Sequence, residues 1–134
     1  MLEIKDHIAR AQSDPTDANI EALWRAVFQL QVWYFLPSDV DGPSTPMVLV
    51  IDDRPWLVAF TNFRRLRDFL REQDLLGGRA DVPMLLLNPK ESMQKIRENV
   101  EHIEGVVFNP RTEERFRAPA GALDQFAAYF GLED

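Results

Sequence analysis

The chain has 134 residues, 46% of them apolar, with 15 basic against 22 acidic side chains and no cysteine. A net charge of −7 repels phosphate backbones and anionic lipid, which argues against general nucleic-acid or membrane-surface binding. Lack of cysteine excludes disulfides, thiolate nucleophiles and thiolate metal sites, and the length suits one domain over 1–134, large enough to bury its own core.

From the amino end, 2–12 places Ile4, Ile8 and Ala11 on one helical face. Asp14-Pro15 restarts the chain, with Asp14 as a cap, Pro15 in the first position and Asp17 at the positive end of a second helix. Ile20, Leu23, Trp24, Val27 and Phe28 follow at helical spacing and are expected in the core. "VWYFLP", 32–37, is rich in aromatic and β-branched residues and reads as a strand closed by proline, and "SDVDGPSTP" after it reads as loop.

"MVLVI" and "WLVAF" read as an antiparallel hairpin joined through Asp52, Asp53, Arg54 and Pro55. A helix over 63–75 follows, with Phe63, Leu66 and Leu70 inward and Gly77-Gly78 as its stop. "MLLL" (84–87) reads as a strand, and Asn88-Pro89 with Glu91 as a capped helix start. That helix carries Met93, Ile96, Val100 and Ile103 as its stripe. "GVVF", a turn over 109–114 and "RFRA" form a terminal hairpin, and Leu123, Phe126, Ala127 and Phe130 line the last helix.

Strands apolar on both faces need cover on both. The expected fold is therefore α+β, with a mixed, largely antiparallel sheet of five or six strands and about five helices. Trp24, Phe28, Phe60, Phe63, Leu66, Leu86, Ile96 and Phe126 are expected to meet in one core. The large residues Trp33, Tyr34, Phe35 and Trp56 on adjacent strands also suggest self-association as a dimer. Apolar runs such as 32–36 and 47–51 are too short for a membrane span, and 1–14 has no secretory pattern, so a cytoplasmic protein is expected.

"LWRAVFQLQVWYFLP", "WLVAFTNFRRL" and "GVVFNP", in that order and spacing, resemble the amino-terminal domain of the SseB family, named for an enhanced serine-sensitivity phenotype. The matching positions are 30–37, then Phe60, Thr61 and Leu66, then 106–110, and the likeness covers about 20–117. Asn62 stands where that family usually has Ser, and the second domain of its longer members has no counterpart up to Asp134. The resemblance implies a small bacterial cytoplasmic protein and brings no catalytic residue set.

Chemical motifs are few. His7 and His102 sit at the edge of a stripe and away from one, which suits neither a catalytic triad nor a metal pair. "DVDG" fails as a calcium loop, because its sixth position is Ser44 and its twelfth Val50. Asp52-Asp53 and Glu113-Glu114 read as solvated turn residues, and no glycine-rich phosphate loop is present. No catalytic residue, metal ligand or cofactor site is assigned.

One stretch breaks a local rule. Arg64, Arg65 and Arg67 crowd the electrically positive start of the helix that follows Thr61-Asn62, where cations cost stability. Asn62 is the expected cap, accepting from the amide of Arg64 or Arg65. The arginines either pair with acidic turns at Asp39, Asp41, Asp52 or Asp53, or join Thr61 and Asn62 in a site for a small phosphate or carboxylate, or for a partner's acidic side chain. Two classes of function follow: a non-enzymatic interaction domain binding a protein partner or itself, with immunity proteins and secretion chaperones as variants, or a small-anion binding domain or enzyme.

Overall fold

The computed structural model describes residues 3–37, 46–74 and 84–131. The expected acidic partners Asp39 and Asp41 and the helix stop at Gly77-Gly78 lie outside the described residues. In chain order the elements are α1 (Ile4–Ser13), α2 (Asp17–Phe28), β1 (Trp33–Phe35), β2 (Val48–Ile51), β3 (Arg54–Phe60), α3 (Phe63–Glu72), β4 (Leu85–Leu87), α4 (Pro89–Glu98), β5 (Gly105–Phe108), β6 (Phe116–Pro119) and α5 (Ala120–Tyr129).

The strands form one mixed sheet in the order β4-β1-β3-β5-β6, with β2 paired to β3. Only β3 and β5 are parallel; the other pairings are antiparallel. The fold is therefore α+β, as the alternation of elements suggested. β1 and β2 share one side of β3, with Tyr34 opposite Phe60 and Ile51 opposite Arg54. The bridge Pro37–Pro46 closes the excursion between them. Asp52 and Asp53 alone make the β2–β3 turn, both at positive φ, as the natural twist of a two-residue hairpin requires. Arg54 and Pro55 thus belong to β3 and not to the connection. Pro55 has no amide hydrogen to give the ladder, but its carbonyl still accepts from the amide of Glu104 just ahead of β5.

Alternation along β3 divides the interior into two. Leu57 and Ala59 face one side, where Trp24, Phe28, Trp33, Ile96, Phe108 and Leu123 pack with α1, α2, α4 and α5. Trp56, Val58 and Phe60 face the other, covered by Leu66, Phe69 and Leu70 of α3. The single core expected from the sequence is thus two clusters separated by the sheet. Six of its eight named residues lie within or against them, Phe126 as a partly buried neighbour stacked on Trp24. The exceptions are Phe63, 37% exposed, and Leu86, 46% exposed. Phe63 occupies the first position of α3, ahead of the stripe that α3 turns to the sheet, and Leu86 lies on edge strand β4, left open among the described residues.

Local signals fared unevenly. Asn88 and Glu91 form the expected capping box of α4. The cap of α2 is Thr16 and not Asp14, its hydroxyl accepting from the amide of Asn19. α4 ends at Glu98, because Asn99 donates its side chain to the carbonyl of Lys95 and the chain turns. Val100 is consequently exposed, and Ile103 reaches the core from outside the helix. Gly105 opens β5 where a Cβ would lie 2.1 Å from the carbonyl oxygen of Ala118, so the close approach of β6 requires glycine.

Candidate functional site

β3 and β5 end side by side, at Phe60 and Phe108, and the residues that follow close on one another. Asn109 is fully buried at φ 52, a left-handed conformation that asparagine tolerates better than most residues. Its Oδ1 accepts from the amide of Thr61 at 3.1 Å. Its Nδ2 donates to Thr61 Oγ1 and to the carbonyl of Glu114, each at 3.2 Å. Thr112 continues the network, donating to the carbonyl of Asn109 and accepting from the amide of Glu114. Two motifs separate in sequence, Phe-Thr and Asn-Pro, thus become one hydrogen-bonded unit.

Asn62 caps α3, its Oδ1 accepting from the amide of Arg65 at 2.9 Å. Beyond the cap, the three arginines go to different partners. The Arg65 guanidinium grips Glu114 with two contacts, Nε to Oε1 at 3.1 Å and Nη2 to Oε2 at 2.7 Å, and reaches Glu113 at 4.0 Å. The side chains of Arg65 and Glu114 are only 15% and 18% exposed. The hydrogen bond to Glu114 raises the Arg65 pKa further, against the opposing pull of burial. Arg67 meets Asp68 at 3.5 Å and lies over the Phe63 ring, and Arg64 is exposed. Arg65 therefore pairs with an acidic turn, but at Glu114 and not at the Asp52-Asp53 turn. Glu114 is correspondingly no solvated turn residue, whereas Glu113, 88% exposed, is one.

The turn between β5 and β6 is anchored at three points: by Arg65 of α3, by Gln12 of α1, which donates to the carbonyls of Glu113 and Arg115, and by a hydrogen bond from Arg111 to Gln73 at the end of α3. The anchored turn and β6 border a cleft of about 690 Å³ on the α3 face of the sheet. Leu49, Ile51 and Val107 give it an apolar floor, and Arg111, Arg115, Arg117 and Asp52 its charged rim. Arg117 of β6 and Arg115, one residue ahead of that strand, both line the cleft, as side chains two apart along an extended chain share a face. The Arg117 guanidinium lies 4.8 Å from the centre of the Trp56 ring and 3.5 Å from Asp52.

The sequence reading missed this cleft. Its signal was present, Arg111 with Arg115 and Arg117 at period two, but an arginine beside a turn is common, and the apolar floor comes from β2 and β5, distant in sequence. The residues that suggested self-association are largely satisfied inside the chain: Trp33, Phe35 and Trp56 are buried by its own helices and strands. Among the described residues no cluster of three or more His, Cys, Asp or Glu could hold a metal ion, and no helix is long and apolar enough to cross a membrane. No protein-family model matches the sequence, and no curated protein matches it.

Proposed function

We propose that the chain is a non-enzymatic interaction domain of a bacterial cytoplasmic protein, similar to the SseB amino-terminal domain, and that it takes a segment of a partner protein in the cleft between β2 and β6. The observation that carries this reading is the cleft itself: an apolar floor on the face of a rigid sheet, beside β2, whose Val48 and Val50 are also exposed. Open apolar surface rimmed by polar residues is how soluble proteins present binding sites. The small-anion alternative at Thr61, Asn62, Arg64, Arg65 and Arg67 has weaker support, because Arg65 turns to Glu114 and Arg67 to Asp68.

The test is a titration of the chain with three hexapeptides, alternating Glu–Leu, Lys–Leu and Ser–Leu, while amide chemical shifts are followed. Saturable shifts confined to 49–52, 107 and 111–117 with at least one peptide are expected. Shifts with none of them at millimolar concentration overturn the reading.

A further inference from the structure

Resting on that reading, we infer that the partner segment is acidic: the cleft selects carboxylate-bearing side chains alternating with apolar ones. Part of the charge on the cleft rim is left uncompensated. Within the described residues, Arg25, Arg54, Arg65 and Arg97 each have a carboxylate oxygen within 3.1 Å. The three cleft arginines are held differently. Arg111 donates to the neutral amide of Gln73, and Arg115 donates to the backbone carbonyl of Thr112 at 3.0 Å. Arg117 lies on an indole ring, with Asp52 at a longer 3.5 Å and that carboxylate 81% exposed. Neutral partners orient a guanidinium without cancelling its charge.

Two exposed arginines held by neutral partners, Arg111 and Arg115, with Arg117 beside them ion-paired to Asp52, leave this rim a surplus of positive charge in a chain with seven surplus carboxylates. The negative charge of the rest of the surface would repel an acidic partner at long range, so recognition must come from this local positive rim, within about one Debye length. Guanidinium groups suit carboxylates better than lysine would, because their planar fork can donate two hydrogen bonds to one carboxylate. Leu49, Ile51 and Val107 supply the complementary apolar contacts, so an alternating segment meets both surfaces at once. Preorganisation comes from the turn: Asn109, Arg65 and Gln12 fix the backbone that presents Arg111 and Arg115, which lowers the ordering entropy that binding would otherwise cost.

The same three peptides decide the matter, with inorganic phosphate and succinate added as probes. The Glu–Leu peptide is expected to bind at 49–52, 107 and 111–117, and to weaken as salt is raised. Arg115→Glu/Arg117→Glu is expected to raise its dissociation constant about tenfold or more, the equivalent of one charge-assisted hydrogen bond. Since Arg117 also touches Trp56, Arg111→Gln/Arg115→Gln provides a second variant confined to exposed side chains, with an expected rise of about threefold or more. Equal binding of the Lys–Leu or Ser–Leu peptide overturns the acidic assignment and leaves the interaction domain standing. Phosphate or succinate binding as tightly as the Glu–Leu peptide at the same residues makes the cleft a small-anion site and overturns the assignment. Glu–Leu binding that neither variant weakens removes the arginines from the account, and binding by no peptide removes the interaction site altogether.

Discussion

Thr61 and Asn109, 48 residues apart, hold the ends of the two parallel strands together by a reciprocal pair of hydrogen bonds, amide to Oδ1 and Nδ2 to Oγ1. Asn109 does this from a fully buried position at positive φ, so its side chain and its backbone conformation are both needed. Asn109→Ala removes three hydrogen bonds, strands the Thr61 amide and strains a left-handed site. A loss of about 3 kcal/mol in urea unfolding is expected. Thr61→Val removes only the hydroxyl and is expected to cost about 1 kcal/mol.

The Arg65–Glu114 contact joins α3 to the turn that carries the cleft arginines. A double-mutant cycle on Arg65→Gln and Glu114→Gln is expected to give a coupling of about 1–2 kcal/mol, above the ordinary surface pair because both side chains are mostly covered. The pKa of Arg65 is raised. A raised value makes the arginine's stabilisation fully present below its unfolded pKa and lost only as pH rises through the folded one. Arginine stays protonated across ordinary working pH and the shift moves it further upward, so on the arginine's side the penalty of Arg65→Gln is expected to stay constant from about pH 6 to about pH 10. Denaturant melts across that range check it.

At the start of α3, Asn62→Ala is expected to cost about 1 kcal/mol and Asn62→Ser a few tenths, since serine can also accept from the Arg65 amide. Thermal melts of both variants suffice.

The two-cluster interior makes a contrast measurable. Phe60→Ala and Leu66→Ala, fully buried on the α3 face, are each expected to lose about 2–5 kcal/mol. Leu86→Ala and Phe63→Ala, at exposed sites, are each expected to lose less than about 1 kcal/mol. Comparable losses at all four positions would overturn the assignment of inner and outer faces.

Backbone conformation gives a final pair of substitutions with opposite signs. Asp53→Gly relieves a positive φ of 64 in the hairpin turn and is expected to stabilise by about 0.5 kcal/mol or more. Gly105→Ala drives a methyl group into the β6 backbone and is expected to destabilise by about 1–3 kcal/mol. Opposite shifts in melting temperature check both.

What the sequence determined by itself is what short-range chemistry governs. Helical stripes at Leu23, Trp24, Val27 and Phe28 and at Met93 and Ile96, the caps at Asn62 and Asn88, and the hairpin around Asp52-Asp53 each depend on residues within a few positions of one another. Strands apolar on both faces announced a sheet covered on both sides, because a buried face must be matched wherever it occurs. Strand order was not legible, since pairing β3 in parallel with β5 brings together residues about fifty positions apart, which no local pattern encodes. The choice between Asp14 and Thr16 as a cap turned on where the second helix begins: it starts at Asp17, so Thr16 precedes it and Asp14 instead closes the first helix. The arginine puzzle at 64–67 had the same limit: composition showed that carboxylates were plentiful, and only the return of the β5–β6 turn over α3 selected Glu114. The cleft arginines escaped notice for the complementary reason. Their role depends on Arg111 and Arg115 being held by neutral partners while sharing a rim with Leu49 and Ile51, and that is a property of strands brought together by long-range pairing.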